Sequence, residues 1–163
     1  MSKRPFTARF PTFPANGDEV IIRAKLKDDA RKFSVNFCLP PPEMLQDGAP
    51  KPYIAYHFKT MYDANGASCV VHNWKNVQWQ EELVVDNNWH VDRSKTFRVV
   101  FRLHEDSIKV FVGCVDHPPD YEFPLQMPLD QIDTLELWDD VERVDEISFR
   151  VLNNTADTRT YRS

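Results

Sequence analysis

Hydrophobic and polar positions alternate with a period of two in many short runs of this chain. The clearest run is Thr96–Leu103, TFRVVFRL, in which every second residue is apolar. Comparable runs occupy Glu19–Lys27 and Phe33–Leu39. Because successive side chains of a strand point to opposite faces, each run predicts a strand with one buried face.

Shorter runs with the same character follow towards the C-terminus, and turn-forming residues such as Gly113 separate them. Further short strands are predicted at Ile108–Val112, Tyr121–Phe123, Leu135–Trp138 and Glu146–Leu152. A single helical turn is predicted at Pro128–Ile132, and almost no 3.6-residue periodicity appears elsewhere. Short strands at this frequency predict an all-β fold, an antiparallel β-sandwich.

A chain of 163 residues is long enough for a single domain with a substantial core. We expect an N-terminal arm at residues 1–9, one domain at residues 10–152 and a polar C-terminal tail at residues 153–163. The proline-rich segment Pro40–Pro52 breaks both helix and strand patterns and predicts an irregular loop.

The stretch Tyr53–Val84 predicts a hairpin followed by a third short strand, with a polar face backed by an aromatic one. On the first strand, Ile54, Tyr56 and Phe58 are expected to point one way, and His57, Lys59 and Met61 the other. On the return strand, Asn73 is expected to share a face with Val71 and Cys69, with Trp79 just beyond. Large polar side chains beside an indole ring are typical of a sheet face that presents a groove to solvent.

The register of this hairpin decides whether the polar residues meet. A loop centred on Asn65 sets residue 57 opposite 73 and residue 61 opposite 69. A two-residue turn at Asn65–Gly66 would instead set residue 57 opposite 74. Because the second register buries the Asn73 amide among aromatic side chains, we predict the first.

This stretch resembles the binding signature of the galectin family, in which H-x-N-x-R on one strand is followed by Asn and then by W-G-x-E-x-R. The matching residues are His57, Asn73, Trp79 and Glu82. Lys59 stands in place of the signature Asn, Met61 in place of the first Arg and Val84 in place of the second. The resemblance covers roughly Phe10–Leu152 and implies a galectin-like jelly roll, a lectin function and no enzymatic activity.

The resemblance also implies a carbohydrate-binding site and the role of each of its members. Its candidate residues are His57, Lys59, Met61, Asn73, Trp79 and Glu82. An indole ring suits the apolar face of galactose, whereas imidazole and amide groups both donate and accept hydrogen bonds. Losing the two Arg residues removes directed donors, which predicts altered or weakened β-galactoside specificity.

A second hypothesis stays open beside the lectin. The chain is then a galectin-fold protein that has lost sugar binding and contacts a protein partner through the sheet face or through Pro40–Pro52. The expected partner is a glycan. The sequence leaves open whether that glycan contains galactose and whether the chain forms a homodimer.

Composition narrows the remaining function classes. A formal net charge of -5 argues against a nucleic-acid surface, and no apolar run is long enough to span a bilayer. The N-terminal residues lack the apolar segment of a signal peptide, which predicts a cytoplasmic protein. The resemblance leaves open an extracellular role after non-conventional export.

Cofactor and catalytic chemistry find little support in the sequence. Cys38, Cys69 and Cys114 are widely spaced, so neither a disulfide framework nor a metal site is expected. No motif of a hydrolase or nucleotide-binding loop occurs. The nearest approach to a thiol nucleophile and base is Cys69 with His57, which share a predicted face.

Overall fold

The computed structural model describes residues 4–42, 49–87, 93–152 and 158–161, most of which lie in β-strands. The strands are β1 (Phe6–Arg9), β2 (Glu19–Leu26), β3 (Lys32–Cys38), β4 (Tyr53–Asp63), β5 (Gly66–Asn76), β6 (Gln78–Trp79), β7 (Leu83–Asp86), β8 (Phe97–Leu103), β9 (Ser107–Val112), β10 (Tyr121–Pro124), β11 (Thr134–Asp139), β12 (Val141–Arg150) and β13 (Thr158–Tyr161). A 3₁₀ turn at Leu129–Gln131 lies within the predicted helical turn.

The strands form two antiparallel sheets. The first has the order β1-β11-β3-β4-β5-β6, with β7 also paired to β5, and the second has the order β10-β9-β8-β2-β12-β13. The predicted all-β antiparallel sandwich is therefore confirmed. Within the described part of the chain, no helix has the length and apolar composition to cross a membrane.

The hydrophobic core lies between the two sheets and is rich in aromatic rings. Tyr56 of the first sheet stacks on Phe123 of the second with ring centroids 4.6 Å apart. Phe37 and Phe101 meet edge to face across the same layer at 5.1 Å. These residues sit at the inward positions of the alternating runs, so the periodicity identified the core faces of β3 and β8.

The core also contains a histidine. His72 is 2% exposed, and its Nδ1 lies 2.6 Å from the hydroxyl of Tyr56. Burial lowers the pKa of His72 to about 4, so the ring is neutral at neutral pH. The hydrogen bond between the Tyr56 hydroxyl and Nδ1 of the neutral ring gives each of these buried groups a partner.

The hairpin β4–β5 has the predicted register beside the site and a different closure at its tip. Near the site, His57 pairs with Asn73 and Lys59 with Val71, which confirms the predicted register. At the tip, Asp63 pairs with Gly66 around Ala64 and Asn65, so the two-residue turn at Asn65–Gly66 does not form. Residues 68 and 69 both lie opposite Met61, so a bulge replaces the predicted one-to-one pairing of residue 61 with residue 69. The turn is tight, and the register shifts by one residue between Thr60 and Tyr62.

A second register shift changes the face of Ile54. The ladder shifts between Ile54 and His57, and Ile54 pairs with Lys75. Ile54 is buried but lies outside the cluster between the sheets, unlike Tyr56 and Phe58. The prediction that Ile54 shares their face is therefore wrong, because an extra residue in β4 interrupts the alternation.

The two chain ends both contribute strands. β1 of the predicted N-terminal arm pairs with β11, and β13 of the predicted polar tail pairs with β12. Residues 43–48 of the predicted Pro40–Pro52 loop lie outside the described residues.

Candidate functional site

Side chains that point away from the core on the first sheet line up in cross-strand rows. One row crosses β11, β3, β4 and β5 and consists of Glu136, Asn36, His57 and Asn73. The next row towards the hairpin tip consists of Trp138, Ser34, Lys59, Val71 and Val84. We call this surface, which carries His57, Lys59 and Trp79, the site face.

His57 lies in the middle of the site face, and Asn36 fixes its protonation pattern. Its Nδ1 lies 2.6 Å from Oδ1 of Asn36, an oxygen that can only accept. Burial lowers the pKa of His57 to about 4, with the charges of Lys59 and His72 adding to the effect. The ring is therefore neutral with its proton on Nδ1, which leaves Nε2 as an acceptor.

Trp79 lies beside His57 and supplies an aromatic surface. The two ring centroids are 4.8 Å apart with the planes tilted by 57°. Nζ of Lys75 lies 5.3 Å from the indole centroid, within range of a cation–π contact. Trp79 nevertheless remains 47% exposed, so much of the indole surface is open to a ligand.

Asn73 is on the same face as His57 but is used to hold the segment that carries Trp79. Its Nδ2 donates to the carbonyl of Gln80 at 3.1 Å, and its Oδ1 accepts from the backbone of Trp74 at 2.9 Å. The backbone N–H of Gln80 also donates to the Trp74 carbonyl at 3.1 Å. Asn73 is only 3% exposed, so its position stabilises the loop after Trp79.

The other predicted residues lie around this centre. Lys59 and Met61 are half-buried on β4, and Glu82 is exposed just before β7. Among the ion pairs of the described residues, none joins Glu82 to Lys59. Glu82 is exposed, so its carboxylate faces solvent.

Sequence reasoning missed Asn36 as a member of the site. The signal was present, because Asn36 is a polar residue at an outward position of the alternating run Phe33–Leu39. What the run does not reveal is that β3 lies next to β4, which puts Asn36 beside His57. The 6% exposure of Asn36 indicates a supporting role beneath the ligand surface.

The site face combines an acceptor, a cation and an aromatic surface. Nε2 of His57 can accept from a hydroxyl, the ammonium of Lys59 can donate, and Trp79 offers apolar area. The described residues contain no cluster of three or more His, Cys, Asp or Glu that could hold a metal ion. The arrangement suits recognition of a hydroxyl-rich ligand with one apolar face.

Comparison with known proteins bears on both the fold and the family. A model of the galactoside-binding lectin family matches residues 5–149. Chicken galectin-2 is similar in structure, with a TM-score of 0.70 and 20% sequence identity, over 90% of this chain and 99% of that one. CG-16, a homodimeric agglutinin from chicken liver, has a TM-score of 0.69 and 22% identity over the same shares, 90% and 99%.

A nematode structure is similar over slightly less of the chain. Galectin LEC-6 of Caenorhabditis elegans has a TM-score of 0.64 and 19% identity, over 86% of each chain. At these identities the structural likeness establishes the fold. A sequence comparison with curated proteins found no match.

Proposed function

Because the chain belongs to the galactoside-binding lectin family, whose model matches residues 5–149, we propose that it binds a glycan on the site face, with altered or weakened specificity for β-galactosides. The proteins of this family are non-enzymatic and bind carbohydrates. The candidate contacts are Trp79, His57, Lys59 and Glu82, with Met61 at the edge and Asn73 supporting the loop.

The observation that carries this proposal is the contact between the rings of Trp79 and His57. The exposed part of the indole offers apolar surface to the C–H groups of a sugar ring. The neighbouring imidazole offers an acceptor of fixed direction at Nε2. A pyranose that stacks on Trp79 would therefore point a hydroxyl towards His57.

The altered specificity rests on the donors that the site face lacks. Met61 and Val84 occupy positions where the galectin signature has Arg, and neither side chain donates a hydrogen bond. Each sugar hydroxyl left desolvated without a partner costs about 1–3 kcal/mol. Lys59 restores one donor, but as a flexible point charge without the planar fork of Arg.

A glycan array tests the proposal, together with retention on a lactose matrix and release by free lactose. We expect binding to at least one glycan on the array and a loss of that binding in Trp79→Ala. Binding that survives in Trp79→Ala would remove the site face as its location. Absence of binding to every glycan on a broad array would contradict the carbohydrate proposal.

A second candidate function, a protein-interaction module, is favoured by exposed apolar residues at one edge of the first sheet. Val77, Leu83 and Val84 are 62%, 49% and 55% exposed. Exposed apolar groups at a sheet edge are typical of a surface that contacts another macromolecule. Two results together would favour this function over the lectin. The protein would bind no glycan on the array, and it would capture a specific protein partner whose binding is lost in Leu83→Lys.

A further inference from the structure

Lys59 places a cation in the middle of the site face, on a part of β4 where the ladder is regular on both sides. It pairs with Ser34 of β3 and with Val71 of β5. Along the strand, His57 precedes it on the same face and Met61 follows it. None of these four neighbours carries a negative charge, so the strand pairing puts no carboxylate next to Lys59.

Other cations of the two sheets show how such a charge is compensated. Nζ of Lys25 lies 2.9 Å from a carboxylate oxygen of Asp28. The guanidinium of Arg102 lies 2.9 Å from a carboxylate oxygen of Glu19. Lys59 takes part in no ion pair with any residue that the structure describes. Its half-buried ammonium is therefore available to a ligand.

The carboxylates around the site face leave the position above Lys59 open to an anion. On the β3 side, Asp139 is already paired with Lys32, at 3.8 Å. On the other side, Glu82 and Asp86 lie just before and at the end of β7, and β5 separates that strand from β4. A negative ligand group therefore meets less repulsion above β4 than at the β7 edge.

The spacing between Lys59 and His57 limits which ligand group can reach the ammonium. Burial is the main cause of the lowered pKa of His57, and the charge of Lys59 adds to it, so the two groups interact electrostatically. Successive residues on one face of a strand are about 7 Å apart. A sugar whose hydroxyl donates to Nε2 of His57 therefore reaches Lys59 best with a group that projects beyond its other hydroxyls.

We propose that Lys59 makes the site face selective for a glycan that carries a sulfate ester on the sugar ring held by His57 and Trp79. The ester extends a hydroxyl position outwards and presents anionic oxygens, which accept stronger hydrogen bonds from an ammonium than a neutral hydroxyl does. A point charge on a flexible stem also suits a sulfate, whereas the planar fork of Arg is matched to a planar carboxylate. This inference rests on the proposed function, because it assigns the substituent that the same site prefers.

NMR titrations of the ¹⁵N-labelled full chain with matched ligands measure this preference. The ligands are methyl β-galactoside, each of its monosulfates and the corresponding galacturonide, in which a carboxylate replaces the hydroxymethyl group. We expect at least one monosulfate to bind about tenfold more tightly than the parent sugar at low salt. That advantage should decrease as the salt concentration rises, because salt screens the charge of Lys59.

Substitutions connect the preference to Lys59. Lys59→Gln removes the charge and should reduce the advantage of the best monosulfate to about twofold or less, whereas Lys59→Arg should retain most of it. Lys109→Gln is the matched control, because Lys109 is also half-buried but lies on the outer face of the second sheet, paired with Glu122 and Arg102. It makes the same change in net charge and should leave the ratio unchanged. A melting curve for each variant checks that it folds.

The outcomes separate this inference from the proposed function. Monosulfates that bind no more tightly than the parent sugar, or an advantage that persists in Lys59→Gln, would overturn the role of Lys59 and leave a lectin. An advantage lost in Lys75→Gln but kept in Lys59→Gln would also overturn it, since Lys75 is the cation beside Trp79. Tighter binding of the galacturonide than of every monosulfate would overturn the choice of sulfate. Failure of all glycans to bind, here and on the array, would remove both the inference and the proposed function.

Discussion

His57 illustrates how a neighbouring side chain sets the chemistry of a binding group. The imidazole is neutral because burial lowers its pKa to about 4, and Asn36 holds the proton on Nδ1. The free Nε2 is then an acceptor over the whole physiological pH range. A ligand hydroxyl must therefore donate to His57.

Replacing Asn36 by a carboxylate tests this assignment. In Asn36→Asp, a negative charge beside Nδ1 favours the imidazolium, so the pKa of His57 should rise from about 4 towards or above its ordinary value of 6.5. The ring would then donate at both nitrogens and lose its acceptor.

Two-dimensional ¹H–¹⁵N spectra of the histidine rings measure both the tautomer and the pKa. The natural protein should show a protonated Nδ1 and an unprotonated Nε2 at pH 7. A proton on Nε2 in the natural protein, or a His57 pKa that stays unchanged in Asn36→Asp, would contradict the role given to Asn36.

Trp79 is the residue whose loss should separate binding from stability. The indole is 47% exposed, so Trp79→Ala removes little buried apolar area from the core. We expect any sugar binding to weaken at least tenfold, while the melting temperature changes by only a few degrees. Phe13→Ala, at another exposed aromatic residue, is the control that should affect neither quantity. A large loss of stability in Trp79→Ala would mark the residue as structural.

Individual site residues differed in how far the sequence could predict them. Alternation placed His57 and Asn73 on one face, and the register confirms that they are cross-strand neighbours. The hydrogen bonds of Asn73 to the Gln80 and Trp74 backbone depend on the path of the following loop, which no period describes. Asn36 was missed because its contact with His57 joins strands that are distant in sequence.

At the scale of elements, the β4–β5 hairpin shows why a turn signal alone does not set a register. The tip closes tightly, with Gly66 at a φ of 114°. Residues 68 and 69 of β5 then face Met61 alone, and this extra residue restores the register that puts His57 opposite Asn73. Burial of Tyr56, Phe58 and their partners favours this register, so the core outweighs the local turn.

Gly66 gives a direct test of the turn. An alanine there would find no atom within 4 Å of its Cβ, so the only penalty is the positive φ of 114°. We expect Gly66→Ala to lower the free energy of unfolding by about 1–2 kcal/mol, measured by urea denaturation. Ala64→Gly is the matched control, with an expected loss of about 1 kcal/mol or less from backbone entropy. A neutral Gly66→Ala would show that the tip does not hold this conformation.

At the scale of the whole molecule, the fold was more predictable than the site. Period-two alternation reports only which face of a strand is buried, and a sandwich needs little more than that for each strand. Alternation failed where the strand register shifts, because one extra residue in β4 turns Ile54 away from the face of Tyr56. Strand β13 was missed because its segment, Thr158–Tyr161 (TRTY), is too short and polar to show a period.

The aromatic core with its buried histidine predicts how stability depends on pH. The folded state holds His72 neutral down to about pH 4, whereas the ordinary value of its pKa is 6.5. Between these values the unfolded state binds more protons, so the free energy of unfolding should rise as pH increases from about 4 to 6.5. Above pH 6.5 this contribution is complete and constant.

The contribution of His72 is on the order of 3 kcal/mol, and His57 adds to it in the same direction. Urea denaturation at a series of pH values measures the slope. His72→Gln, which retains an acceptor for Tyr56, should give a clearly smaller rise over this interval. An equal rise in the natural protein and in His72→Gln would show that His72 does not hold its neutral form in the core.

Glycan binding on the site face is tested by titrating ¹⁵N-labelled protein with lactose and following the titration by NMR. Weak binding is sufficient, because chemical shifts report contacts at millimolar dissociation constants. We predict saturable shifts at the Trp79 indole, the His57 ring and the Lys59 amide, and none at residues such as Arg23 on the outer face of the second sheet. Absence of shifts at saturating lactose, or a cluster of shifts away from Trp79 and His57, would contradict the claim.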